Sequence, residues 1–216
     1  RTSLFKKNAP LARRVLEWIR NERAYNSMNM AGELCRKYIE ILEKQKIHYI
    51  YGYASSIYLL AQYALDHNMD MSHMRGAFTT SENLTDIYRE TIEKAFGCRV
   101  MDCYGARDAG ITAYEVTPGN YYLGYSAYLE IVDEIAPNTG TLLSTNLLSM
   151  AFPVLRYDYG DVAELDNNCS VYNGQVLHKI YGRVSDVLRL DNGHVLTSPG
   201  FTILMRNFDV KAYDIQ

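Results

Sequence analysis

Apolar residues recur at helical spacing through Leu11, Val15, Leu16 and Ile19, just behind Pro10, which suits the first turn of a helix. Ser27-Met28-Asn29-Met30 breaks the pattern, and a second helix is predicted to carry Leu34, Tyr38, Ile41 and Leu42 on one face. Ile47 to Tyr51 is a short β-like run that Gly52 ends. Ser55 or Ser56 is the expected cap of the next helix, with Ile57, Leu60, Ala61, Ala64 and Leu65 turned inward. Met74 to Thr80 reads as a strand and Ser81-Glu82-Asn83 as a turn. Leu84 to Phe96 reads as a helix with Ile87, Thr91, Ile92 and Ala95 inward, stopped by Gly97. Val100 to Tyr104 is a strand that runs into Gly105. Strands and helices alternate, which predicts a parallel, helix-covered sheet.

The period changes after about Gly119. Tyr121 to Val132, Thr141 to Thr145, Val154 to Asp158, Val162 to Leu165 and Val176 to Ile180 all read as strands. Turn-forming clusters separate them at 137–140, 166–168 and 172–174. The predicted class is α/β: a helix-covered, mostly parallel sheet followed by a β-rich antiparallel sheet or open barrel. Three units are expected: 1–119, then the β-rich 120–182, then 183–216 as a hinge and the start of a further domain.

Composition narrows the function. Of 216 residues, 48% are hydrophobic and 22% charged, enough apolar material for a core and too little charge for wholesale disorder. A net charge of −3 argues against a partner held by overall positive charge, such as nucleic acid or acidic lipid. Cys35, Cys98, Cys103 and Cys169 form no Cys-x-x-Cys pair, so neither a zinc finger nor a disulfide framework is expected. Tyr49 to Leu65 carries no formal charge, but it is short for a bilayer and holds Gly52, Ser55, Ser56 and Gln62, so a core helix is expected instead of a membrane span. With charges throughout 1–23 and no signal-peptide pattern, a cytoplasmic protein is expected. The chain has 19 Tyr against six Phe and one Trp, a composition that favours half-wet walls over dry cores. It starts at Arg1 and stops in what reads as a strand, so a fragment of something larger is expected.

Polar residues gather where strands end, the place where open α/β sheets bind ligands. In Phe78-Thr79-Thr80-Ser81-Glu82-Asn83, Ser81 and Glu82 either cap the following helix or touch a ligand. Asp102-Cys103-Tyr104-Gly105-Ala106-Arg107-Asp108-Ala109-Gly110 offers a ring before a glycine, a platform for a planar ligand, and Asp108 as an oxygen donor to a hard cation. Its other reading is an exposed turn with an Arg107–Asp108 surface pair. In Arg156-Tyr157-Asp158-Tyr159-Gly160-Asp161, the last carboxylate either accepts two hydrogen bonds from a sugar diol or closes an ordinary charged turn. Gly182 to Leu188 reads as a hairpin or a joint between domains. No phosphate loop, Rossmann fingerprint or nucleophile elbow is present.

In their order along the chain, these segments resemble the adenylate-forming ligases, and among them the phenylacetate–CoA ligase-like family in its capsular-polysaccharide-biosynthesis branch. The resemblance runs through Tyr51 to Ala61, Thr80 to Leu84, Tyr104 to Gly110, Thr145-Asn-Leu with Phe152 to Asp161, and Gly182 to Leu188. It implies an enzyme that activates a carboxylic acid with ATP, releases pyrophosphate, and passes the acyl group from the acyl-adenylate to a thiol such as coenzyme A or to another acceptor. It implies that Ser81 and Glu82 lie beside adenine, that Asp102, Cys103 and Gly105 line it, and that Tyr104 stacks on it. Asp161 is then the ribose ligand, Arg183 the hinge-side cation, and Asp108 the magnesium ligand where the family usually has Glu. Tyr51, Tyr53 and Ser55, with Tyr58, fall at the acid pocket. The family's phosphate loop and most of its C-terminal domain are expected to lie outside this chain, which alone is expected to be inactive. The alternative is a non-catalytic nucleotide-binding or scaffold module on the same fold.

Overall fold

Three β-strands begin the architecture, the first two each followed by a helix that returns over the sheet: β1 (Tyr49–Tyr53), β2 (Gly76–Thr80) and β3 (Val100–Ala106). They pair in parallel, with Tyr51 beside Phe78 and Phe78 beside Met101. The computed structural model describes residues 11–27, 30, 32–106, 110–170, 174–183, 187–189 and 195–197. Its helices are α1 (Leu11–Ile19), α2 (Gly32–Lys44), α3 (Ala54–Asp66) and α4 (Asp86–Phe96). The charge-free run from Tyr49 divides into β1 and α3, and among the described residues no helix is long and apolar enough to cross a membrane.

The helices form where the apolar period predicts them, but their ends differ. α4 is capped by Thr85, whose hydroxyl accepts the Tyr88 N–H at 3.3 Å, and it stops at Gly97 in the left-handed conformation. Ser81 therefore does not cap it. Neither Ser55 nor Ser56 caps α3: Tyr53 occupies the N-cap position and its side chain makes no capping bond. Ile87, expected inward on α4, is 49% exposed, because Ile92 and Phe96 fill the core-facing stripe. Those two pack with Ile39 and Leu42 of α2, Ile57 and Leu60 of α3, and Ala77 and Val100 of the sheet. Burying Phe96 alone contributes about 2–3 kcal/mol.

The remaining strands are antiparallel: β4 (Ile111–Thr117), β5 (Asn120–Leu123), β6 (Ala127–Ala136), β7 (Thr139–Asn146), β8 (Tyr157–Cys169) and β9 (Gly174–Arg183). All nine strands make one sheet in the order β1-β2-β3-β4-β5-β9-β8-β7-β6, and β10 (Val187–Arg189) and β11 (Val195–Thr197) form a separate pair. β4 occupies a stretch for which no element was expected. The strand expected over Tyr121 to Val132 is two strands, and those expected at Val154–Asp158 and Val162–Leu165 are one. β8 stays continuous through a bulge: it advances from Asp158 to Val162 while β7 goes only from Leu143 to Thr141. Gly160 sits in that bulge at φ 70°, a conformation that favours glycine. β5 and β9 meet at only two register positions, Tyr121–Leu177 and Tyr122–Val176. A second core lies on this side, with Leu123, Leu129, Leu142, Ala163, Leu165 and Leu177. It also takes in Ala113 of β4, with Tyr104 and Ala106 of β3 packed on it, so the two cores hand over at β3–β4.

Candidate functional site

The bulge in β8 turns Asp161 toward the C-terminal end of β3. There the Tyr104 hydroxyl donates to Asp161 Oδ2 at 2.6 Å. Across the β8–β9 ladder Asp161 is the register partner of Arg183, whose Nε lies 3.2 Å from Asp161 Oδ1. The Arg183 guanidinium also donates to the Tyr159 carbonyl. Three residues from three strands are thus brought together. The Asp161 side chain keeps 14% exposure and the Arg183 side chain 60%, so one face of the cluster is open. Burial, then the Asp161 charge and the hydrogen bond to it, push the Tyr104 phenol well above its ordinary range. A carboxylate offers about four acceptor positions, so Tyr104 and Arg183 leave Asp161 able to accept from two further hydroxyls. Gly105, just beyond Tyr104, is exposed.

Asp102 and Cys103 are placed differently from ligand-lining side chains. Asp102 is 6% exposed, and both its oxygens are taken: Oδ1 by the Thr79 hydroxyl at 2.5 Å, Oδ2 by the Tyr121 hydroxyl at 2.8 Å. Cys103 is 7% exposed, and burial pushes its thiol up to about 11. Both are buried, on opposite sides of β3, so what this strand presents at its end is the Tyr104 ring and backbone. Burial raises the Asp102 carboxyl, against the lowering effect of the Thr79 and Tyr121 bonds, and the Glu115 charge adds to the rise.

Glu115 sits beneath Asp102 and was not singled out from the sequence. Its two oxygens receive Arg89 Nη2 at 2.7 Å each, the Asp102 N–H at 3.1 Å and the Gly119 N–H at 2.8 Å. Arg89 also donates to the Val100 carbonyl at 2.9 Å. One buried guanidinium therefore braces α4, β3 and β4. The signal was available: a lone Glu in a run of Ile, Thr, Tyr and Val between Ile111 and Thr117 marks an acid carried into a sheet. This network holds one wall of a cavity of about 250 Å³ lined by Asn83, Gly119, Tyr121, His178, Lys179, Ile180 and Tyr181, where β5 and β9 part.

Ser81 and Glu82 lie at the end of β2. Ser81 has φ 66°, unusual for a residue with a side chain. Glu82 serves a helix, but not the one that follows it: Oε2 accepts the Ser55 N–H of α3 at 2.8 Å. Tyr51 and Tyr53 stand on the sheet face opposite α3 and α4, 67% and 45% exposed. Tyr58 points elsewhere, stacking on Tyr88 of α4 with ring centroids 4.3 Å apart. Asp108 lies outside the described residues, as do Arg107, Ser185 and Asp186. Among the described residues no group of three or more His, Cys, Asp or Glu is placed to hold a metal ion.

No protein-family profile matches the sequence. The chain is 29% identical to Protein CapK of Staphylococcus aureus over 190 residues, covering 86% of this chain and 42% of that protein. Among solved structures it is similar to 2-hydroxyisobutyryl-CoA ligase in an open conformation with 2-HIB-AMP and CoA, at a TM-score of 0.66 and 19% identity, covering 87% of this chain and 48% of that one. It is similar to an anthranilate CoA ligase in complex with anthranoyl-AMP, at a TM-score of 0.59 and 16% identity over 77% of this chain and 35% of that one. Coronafacic acid ligase from Pectobacterium brasiliense gives 0.56 and 16%, over 84% and 39%. The chain spans less than half the length of each of these proteins. The α/β fold, parallel strands running into an antiparallel set, is the fold of the corresponding part of these structurally similar ligases.

Proposed function

We propose that this chain is the adenosine-holding part of an AMP-forming ligase that activates a carboxylic acid as its acyl-adenylate and hands the acyl group to a thiol, such as that of coenzyme A, or to another acceptor. One observation carries the reading: Asp161, raised on a β-bulge, is clasped by Tyr104 and Arg183 with acceptor capacity to spare and one side open. Asp161 accepts from the two ribose hydroxyls. The Tyr104 ring, held in place through its hydroxyl, offers a face to the base. Arg183 lies near enough to the same carboxylate to meet the phosphate side of the ribose. ATP would supply the adenylyl group, and Asp108 is the residue that would hold a magnesium ion to offset the phosphate charge. The acid would lie against Tyr51, Tyr53 and Ser55. The likeness to ligases seen with acyl-AMP compounds supports this reading at the level of fold.

Calorimetric titration of the chain with AMP tests the binding half. Measurable heat is expected from the wild-type chain and none from Asp161→Ala at the same concentrations. Equal binding by both proteins sinks the assignment of Asp161. Pyrophosphate release by the whole protein against a panel of carboxylic acids tests the catalytic half. Binding without release for any acid would favour a nucleotide-binding module that does no chemistry.

A further inference from the structure

Two adjacent strand ends are tied by a bond that neither local sequence requires. α3 starts at the end of β1 with no side-chain cap, which leaves its first N–H groups without partners from the helix. The carboxylate that reaches one of them comes from the end of β2, 27 residues away: Glu82 Oε2 on Ser55 N at 2.8 Å. An acid at a helix N-terminus also meets the positive end of the helix dipole. Glu82 is itself exposed and flanked by Ser81 in the left-handed region, a conformation that costs on the order of 1 kcal/mol and persists only where neighbours enforce it. The next residue, Asn83, lines the cavity between β5 and β9.

From these observations we propose that Glu82 is a positioning residue: its carboxylate clamps the 81–83 loop onto α3 and so holds Asn83 and the loop backbone in the shape that a nucleotide base meets. On this view Glu82 itself touches no ligand. The part of the proposal that concerns nucleotide rests on the function proposed above; the clamp itself does not. A cap of this kind contributes about 1 kcal/mol, so its loss lowers the clamped population by about fivefold at most, and the apparent affinity falls by the same factor.

The test uses Glu82→Ala and Glu82→Gln in the full chain, with two readouts. Hydrogen exchange of the free protein measures the loop and the start of α3. Glu82→Ala is expected to speed exchange at Ser55 and at 81–84 while leaving β3 and α4 unchanged; Glu82→Gln, which keeps an acceptor oxygen, is expected to restore most of the protection. Unchanged exchange in Glu82→Ala overturns the clamp whether or not nucleotide binds. AMP titration is expected to show up to about fivefold weaker binding by Glu82→Ala, with partial recovery in Glu82→Gln. Faster exchange with unaltered AMP affinity reduces Glu82 to a helix cap and overturns its positioning role. Wild-type chain that binds no AMP defeats the proposed function, while the exchange data still decide the clamp.

Discussion

Tyr104 and Asp161 are joined by a 2.6 Å hydrogen bond across 57 residues of sequence, and the bond links the strand that ends the parallel set to the bulge in β8. A hydrogen bond to a carboxylate is worth about 1.5–3 kcal/mol, and here the donor is a half-buried phenol. Tyr104→Phe keeps the ring and deletes the donor. It is expected to lower the unfolding free energy in urea by about 1.5–3 kcal/mol with an unchanged m-value. A loss under a few tenths would mean that the bond does not form in solution.

The same phenol predicts an alkaline limit. Its folded pKa is raised, so its contribution is fully present below the ordinary tyrosine value of about 10 and is lost as pH rises through the raised one. Tyr121, raised by burial and by Asp102, acts in the same direction. Stability measured across that range should fall less steeply in Tyr104→Phe than in the wild type, and ultraviolet titration should show a set of tyrosines that ionise only on unfolding.

Asp102 predicts an effect at the other end of the scale. Its folded pKa is raised, chiefly by desolvation, so the folded state holds the proton more tightly than the unfolded state does. The associated stability is present below the unfolded value of about 3.9 and is lost as pH rises from there through the raised value. The wild type should therefore lose unfolding free energy relative to Asp102→Asn as pH rises across that window. A difference independent of pH would show that Asp102 titrates normally.

Arg89 and Glu115 form the buried ion pair of the described residues, with side-chain exposures of 17% and 2%. Removing one partner leaves the other charge buried, at a cost of about 3–5 kcal/mol. Arg89→Ala is expected to lose that much in urea denaturation, and the double variant Arg89→Met, Glu115→Leu to recover part of it. If the double variant is no better than the single one, the backbone bonds from Asp102 and Gly119 to Glu115 matter more than the pair.

Gly140 predicts a purely steric loss. A Cβ there meets the Val132 carbonyl oxygen below contact distance and Ile131 Cγ2 at 2.9 Å, on the neighbouring strand. Gly140→Ala should destabilise by about 1–3 kcal/mol, with the thermal midpoint as the readout. Gly97→Ala, which meets nothing within 4 Å, should cost less, through its left-handed φ alone.

The helices and the parallel strands were legible because period and stop signals agree, as at Ile92, Phe96 and Gly97. Tyr104 and Asp161 stood out at strand ends, Arg183 followed only from the family resemblance, and the fold brings the three together. β4 was passed over because it follows directly on the glycine-bounded loop that ends at Gly110, and its run carries a glutamate in its middle. The partners of Asp102 were hidden for a deeper reason: Thr79, Tyr121 and Glu115 meet it only through the registers of β2, β4 and β5, which no local pattern encodes. Glu82 was recognisable as an acid for a helix start, yet proximity in sequence pointed to α4 while proximity in space gave α3.

The brevity of the β5–β9 ladder has a consequence for how the molecule comes apart. Only two register positions stitch β5 to β9, so the strands are held together there chiefly by the second core, which runs across the seam from Ala113 and Leu123 to Leu165 and Leu177. A seam with so few backbone bonds is expected to open locally at lower free energy than the ladders beside it, read as faster hydrogen exchange at 121–122 and 176–177, while the shared core keeps global unfolding cooperative. Tyr104–Asp161 spans that seam. A ligand gripping both residues would then act as a fastener across it, and its binding would be felt as slower exchange on both sides of the seam.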